Sequence, residues 1–311
     1  MRISFSQAVS ALKSGQVVAL PTETVYGLAA SLNHPKAVEH IFILKERPRT
    51  NPLIIHIADW KETAQFATSF PEGFEKLAAA FWPGPLTCVL PVRPSVPEMI
   101  RAHLPTAAFR IPELEITREI IQETGPLVMP SANLSGRPSS TCAEHVEYDF
   151  GKDFPILEGG NCTKGVESTI LLHDGARWVI GRLGAIPAEA FTPLLGYCPL
   201  FIKNPKKEQP QCPGQLERHY APQAHLYLGG SEGMNEAHYF LGFKERLYPE
   251  NKELILLGSI SNPGDVAENL YQALRQLDCR GAASAWVDMD FPRTGLWLTI
   301  AERLNRAGRN H

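Results

Sequence analysis

The stretch LPTETVYGLAA, Leu20 to Ala30, ends an apolar run (VVAL, Val17 to Leu20) with a proline. It then sets Thr22, Glu23, Thr24 and Tyr26 in close succession before small residues resume at Gly27. A short apolar run closed by proline reads as a buried strand. Hydroxyls and a carboxylate at the end of such a strand need partners or a ligand, because a buried polar group without one is costly.

Working outward, further short apolar runs read as strands: LIIHI (Leu53 to Ile57), LTCVL (Leu86 to Leu90), AAFRI (Ala107 to Ile111), PLVM (Pro126 to Met129) and STILL (Ser168 to Leu172). Between them the spacing predicts helices at Pro35 to Leu44, where Pro35 suits a first turn, and at Phe74 to Phe81. Seven prolines between Pro187 and Pro222, with KNPKKEQPQ among them, read as a linker. Beyond it the pattern predicts HLYLG, a helix near Glu236 to Arg246, ELILLG, a helix from about Asp265 to Leu277, AASAWV and a helix from about Leu296 to Ala307. Strand and helix alternate, which predicts a small Rossmann-like α/β domain without the G-x-G-x-x-G of a dinucleotide site.

Composition sets the outer bounds. The 311 residues exceed the roughly 150 expected of one domain, so two domains are expected. A 44% hydrophobic and 20% charged chain with a formal net charge of -3 is neither a disordered tail nor a polybasic nucleic-acid binder. Polar residues break every apolar run at the N-terminus, so a cytoplasmic protein is expected. The six cysteines form no C-x-x-C pair, which speaks against a zinc site and a disulfide framework.

Polar residues near the strand ends form one chemically biased set. Thr22 and Thr24 follow the first strand; Lys45, Arg47, Arg49 and Asn51 precede the second, which contains His56. Arg110 interrupts AAFRI, Ser131, Asn133 and Ser139 follow another strand, Ser168 lies in GVESTI, and Arg182 follows WVI. Taken singly, KERPR suits a solvated helix end, His56 a core histidine, Ser131 and Asn133 turn formers, and Glu167 an edge residue. Arg110, flanked by Phe109 and Ile111, must face solvent or a buried anion. Together, cations and hydroxyls at strand ends suit a polyphosphate or a carboxylate. No P-loop, kinase signature, H-E-x-x-H or G-x-S-x-G is present.

In this order the strings PTETVYGL, LKERPRTNPLIIHI, WPGPLT, FRIP, PSANLSGRPSST, GVESTI and GRLG resemble the threonylcarbamoyl-adenylate synthase family. PGQLERHYAP followed by a smaller α/β domain resembles its two-domain form. The resemblance implies a YrdC-like twisted mixed sheet with a central cavity over 1–190, a linker and lid over 191–222, and a Rossmann-like domain over 223–311. It implies the formation of threonylcarbamoyl-AMP and pyrophosphate from L-threonine, bicarbonate or CO2, and ATP with Mg2+. A partner transferase then modifies tRNA, with little direct tRNA binding by this chain.

By the same resemblance Thr24, His56, Arg110, Met129 and Ser168 surround threonine. Lys45, Arg47, Asn51, Thr106, Ser131, Ser139 and Arg182 hold ATP, with Lys45, Arg47 and Arg110 closest to the chemistry. Pro213, Gly214, His219 and Tyr220 are implied lid residues. Gln215, Leu216 and Glu217 stand where the family commonly has Met-Lys-Tyr, so its nucleotide-contacting tyrosine is missing here. Two other readings stay open: a non-catalytic YrdC-like module that binds RNA or the ribosome, and a carbamoyltransferase on the same fold, which lacks the expected cysteine pairs.

Overall fold

A computed structural model describes residues 1–202, 210–213 and 219–309. The N-terminal strands are β1 (Arg2–Ile3), β2 (Val18–Leu20), β3 (Gly27–Ser31), β4 (Ile54–His56), β5 (Leu86–Pro91), β6 (Thr106–Arg110), β7 (Leu127–Val128), β8 (Ile156–Leu157), β9 (Thr169–His173) and β10 (Trp178–Arg182). They form one mixed sheet in the order β1-β8-β2-β3-β7-β4-β6-β5-β9-β10. This is the expected large mixed sheet. The helices Pro35–Leu44 and Phe74–Phe81 occupy the predicted residues. Each buries one apolar face, Val38, Ile41 and Phe42 in the first and Phe74, Leu77 and Ala78 in the second.

The opening stretch is a β2–β3 hairpin with Leu20 paired to Gly27. Its connection, 21–26, is buried throughout, which is unusual for a loop and requires internal partners for its backbone. Thr22 provides several: its Oγ1 accepts from the amides of Thr24 and Val25 and donates to the Val25 carbonyl. The hydroxyls of this stretch therefore begin as loop fasteners.

A second sheet is wholly parallel, with β11 (His225–Leu228), β12 (Tyr239–Phe243), β13 (Glu253–Gly258) and β14 (Ser284–Val287) in the order β11-β14-β12-β13. The helices Pro263–Cys279 and Leu296–Ala307 pack on it. The helix predicted near Glu236 to Arg246 is instead the strand β12. A parallel strand bonded on both sides and buried on both faces reads as a continuous apolar run, YFLGF here, and cannot be told from a buried helix by periodicity. Gly242 settles the packing, since a Cβ there would lie 2.3 Å from the Tyr248 ring.

The first part of the proline-rich region is folded onto the N-terminal sheet. Short helices run over Ala188–Phe191 and Thr192–Leu195, and Phe201 bridges to Ile180 beside β10. Among the described residues no helix is long and apolar enough to cross a membrane, and every described cysteine is free.

Candidate active site

Strand alternation builds the floor. In β4, Ile55 packs into the main core with Leu53 and Ile57 on either side of the strand, while Ile54 and His56 point to the opposite face and line a cavity. Parallel pairing sets His56 beside Arg110 of β6. Ser168 and Arg182 approach from the β9–β10 edge, Met129, Pro130 and Ser131 from the end of β7, and Arg47 from beyond the helix Pro35–Leu44. Pro213, His219 and Tyr220 also line the cavity, and its volume is about 50 Å3. The predicted cavity thus lies on a face of the sheet and not only beyond strand ends.

Cations dominate it. Lys45 Nζ donates to the carbonyls of Ser131 and Asn133. Arg47 donates to the carbonyls of Asn51 and Pro52 at 3.1 and 2.7 Å. Arg182 donates to the carbonyl and hydroxyl of Ser168 at 2.9 and 3.0 Å. Among the described residues none of the three has an ion pair with a carboxylate. Burial, with Arg182 nearby, pulls Arg47 down to about 9; burial also lowers Arg182 and, with Arg47 beside it, holds Lys45 well below its usual value. Three desolvated cations compensated mainly by neutral oxygens form a site that an anion relieves.

Arg110 differs. Its Nη2 donates to Glu23 Oε1 at 2.7 Å and its Nε to the Gly84 carbonyl at 3.3 Å, so its buried anion is the glutamate of the opening stretch. Glu23 also accepts from the Glu113 amide. His56 is neutral: burial, then Arg110, lowers it to about 3, and its Nδ1 faces the Ile54 carbonyl. Glu167, read singly as an edge residue, is instead buried in the cavity wall. It accepts from Ser139 Oγ at 2.6 Å and from Tyr271 and Arg303 of the C-terminal domain.

Of the predicted residues, Arg47, His56, Arg110, Met129, Ser131, Ser168, Arg182, Pro213, His219 and Tyr220 line the cavity. Thr24, Lys45, Asn51 and Ser139 lie one contact behind it: Thr24 precedes the lining residue Val25, and the other three bond to Ser131, Arg47 and Glu167. Thr106 stands apart, at the start of β6 and paired with Pro91, while the cavity is at that strand's far end. Gly214 and Glu217 lie outside the described residues. Buried polar atoms without partners include Asn51 Oδ1, Asn133 Oδ1 and His219 Nδ1, all close to this cavity. Sequence reading missed Glu23, Glu167, Tyr271 and Arg303 as site residues. Glu167 had a signal, its place beside Ser168 in GVESTI; Tyr271 and Arg303 had none, sitting in ordinary amphipathic helices.

A mixed sheet with a cation-lined cavity, joined to a small parallel α/β domain, defines a two-domain α/β protein. Residues 10–184 match the Sua5_yciO_yrdC family model, described as telomere recombination. Residues 186–308 match the model for the threonylcarbamoyl-AMP synthase C-terminal domain. The threonylcarbamoyl-AMP synthase of Pyrococcus abyssi (strain GE5 / Orsay) is 38% identical, over 96% of this chain and 92% of that protein. The one from Bacillus subtilis (strain 168) is 36% identical, over 97% and 92%. The crystal structure of P. abyssi Sua5 complexed with L-threonine superposes with a TM-score of 0.88 at 34% identity, covering 99% of this chain and 96% of that one. The chain belongs to the threonylcarbamoyl-AMP synthase family, in its two-domain form, and is an enzyme of the nucleotidyltransferase type.

Proposed function

We propose that this chain makes threonylcarbamoyl-AMP and pyrophosphate from L-threonine, bicarbonate or CO2, and ATP, for N6-threonylcarbamoyladenosine modification of tRNA by a partner transferase. The observation that carries the reading is the trio of buried Lys45, half-buried Arg47 and buried Arg182, each hydrogen-bonded to neutral oxygens and none ion-paired to a carboxylate among the described residues. A triphosphate supplies the missing negative charge through charge-assisted hydrogen bonds. Threonine sits between Arg110, His56, Ser168 and the Met129 backbone, with its carboxylate toward Arg110, whose Nε and Nη2 already hold Gly84 and Glu23. Its amine takes up CO2, and a carbamate oxygen attacks the α-phosphorus as pyrophosphate leaves. Such chemistry rests on positioning and neutralisation of phosphate charge and needs no protein nucleophile.

The cavity wall does not form a metal cage. Its carboxylate, Glu167, is already committed to Ser139, Tyr271 and Arg303, and no metal-holding group of His, Cys, Asp or Glu occurs among the described residues. In this reading Mg2+ comes with ATP, whose own phosphates can carry most of its coordination, and no step assigned to these side chains depends on it. The cavity volume of about 50 Å3 is far below the roughly 300 Å3 where small-ligand pockets begin. Pro213, His219 and Tyr220 accordingly act as a lid that withdraws to admit the nucleotide and returns to exclude water.

The test is pyrophosphate release by the purified full chain, with the adenylate detected by mass spectrometry. Release is expected only when threonine, bicarbonate, ATP and Mg2+ are all present, and without tRNA. Vigorous ATP hydrolysis that ignores threonine and leaves no adenylate would overturn the reading.

A further inference from the structure

The cavity wall around Glu167 is built from both domains. Glu167 Oε1 accepts from Ser139 Oγ at 2.6 Å and from the Tyr271 hydroxyl at 3.0 Å; Oε2 lies 2.9 Å from that hydroxyl and accepts from Arg303 Nε at 3.0 Å. Arg303 is fully buried and also donates to the Leu183 carbonyl at 2.6 Å. One turn earlier in the same helix, Thr299 donates to the Gly184 carbonyl at 2.9 Å. Gly184 lies against the backbone of 167–169 so closely that a Cβ would come within 2.5 Å of the Glu167 carbonyl oxygen. Gly165 likewise lies flat on the helix Pro263–Cys279, where a Cβ would meet the Ala267 carbonyl at 2.3 Å. Both C-terminal helices thus grip the segment that ends in Ser168.

The same two side chains also hold the roof. The Arg303 guanidinium sits 4.6 Å from the centre of the Tyr220 ring, and Tyr271 stacks on that ring at 5.4 Å and 20°. Tyr220 itself takes a left-handed backbone conformation, φ 67°, which is uncommon for a non-glycine residue and is kept by what surrounds it.

We infer that Tyr271 and Arg303 are positioning residues for the nucleotide site: they fix the Glu167 carboxylate on Ser139 and hold it off the phosphate-binding Arg182. This rests on the ATP site proposed above. Glu167 is the anion beside Arg182 in an otherwise cation-rich cavity, and burial, which favours its neutral form, is overcome by Arg303, Arg182 and Ser139, which hold it down at about 2. An ionised carboxylate released from its clamp turns to the nearest buried cation and competes with the triphosphate for it. The C-terminal domain would then act on catalysis without supplying a group that touches substrate.

The decisive variants are Tyr271→Phe, which keeps the ring on Tyr220 and removes only the hydroxyl, and Arg303→Gln, each also combined with Glu167→Gln. Binding of a non-hydrolysable ATP analogue is measured by calorimetry, and KM for ATP and for threonine by pyrophosphate release, all on the full chain. Tyr271→Phe is expected to weaken analogue binding and raise the ATP KM about five- to tenfold, with the threonine KM within twofold. Glu167→Gln in the same chain should restore most of the ATP affinity, because the competing charge is gone. Unchanged ATP affinity in Tyr271→Phe and Arg303→Gln, with only a lower melting temperature, would overturn the inference, as would a loss that Glu167→Gln fails to rescue. A wild-type chain that binds the analogue but forms no adenylate would overturn the proposed reaction instead, and the binding measurements would still decide the clamp.

Discussion

At the scale of single residues, similar arginines do different work because their partners differ. Arg47 and Arg182 are held by neutral oxygens, whereas Arg110 has the carboxylate of Glu23 at 2.7 Å. Arg47→Ala should therefore weaken ATP binding by about 2 kcal/mol, the scale of a hydrogen bond to a charged group. Arg110→Ala should raise the threonine KM more than the ATP KM, and should also destabilise the fold by leaving Glu23 buried and unpaired. Calorimetric titration with each ligand separates the two; equal losses for both ligands in both variants would dissolve the division of labour. The cationic set was legible in the sequence because several cations and hydroxyls fall at strand ends, with Arg110 inside an apolar strand left to face solvent or a buried anion. Which anion was not legible, since Glu23 and Arg110 are 87 positions apart and only the packing of the β2–β3 connection against β6 joins them.

At the scale of elements, close backbone approaches decide what can be changed. Gly184 needs no special dihedral, yet a Cβ there would lie 2.3 Å from the Thr169 amide nitrogen and 2.4 Å from the Ser168 carbonyl carbon. Neither can swing aside as a side chain would. Gly184→Ala is expected to cost about 3 kcal/mol, the upper end of overpacking penalties, and to disturb Ser168 as well. Urea unfolding measures the first and the threonine KM the second; a variant of native stability would show that the β10 end yields more easily than its packing indicates. Helix bounds were legible where a proline start or an apolar stripe marked them, as at Pro35–Leu44 and Leu296–Ala307. β12 was misread because burial on both faces erases the alternation that identifies a strand.

At the scale of the whole molecule, buried titrating groups tie stability to pH. Burial, then Arg110, lowers His56 to about 3; burial, then Arg275, lowers His145 to about 4; and burial lowers His219 to about 3 against the pull of Glu167. The unfolded chain therefore binds more protons than the folded one below the ordinary histidine value of 6.5. The histidines' contribution to stability is complete above that pH and is lost as pH falls, by up to about 1.4 kcal/mol per pH unit for each histidine. Glu167, lowered from 4.5 to about 2, adds its own loss below pH 4.5, and it does so at the contact between domains. Melting temperature should fall steadily from pH 7 to pH 5 and more steeply below 4.5; a flat profile from 7 to 4 would mean that these histidines are protonated without cost.

The two-domain α/β organisation, most strands of the large sheet, the family strings and the cationic character of the site can be read from the residues alone. Those follow from local periodicity, turn residues and the chemistry of side-chain types, all read within a few positions. Long-range packing sets the rest: the cavity opens on a sheet face, Thr106 stands away from it, and Glu167 meets Tyr271 and Arg303. Those last partners lie 104 and 136 positions away, on helices whose own sequence explains only their buried stripe. A pattern tells a residue which face it occupies; which residue it meets there is set by the strand order and by the docking of one domain on the other.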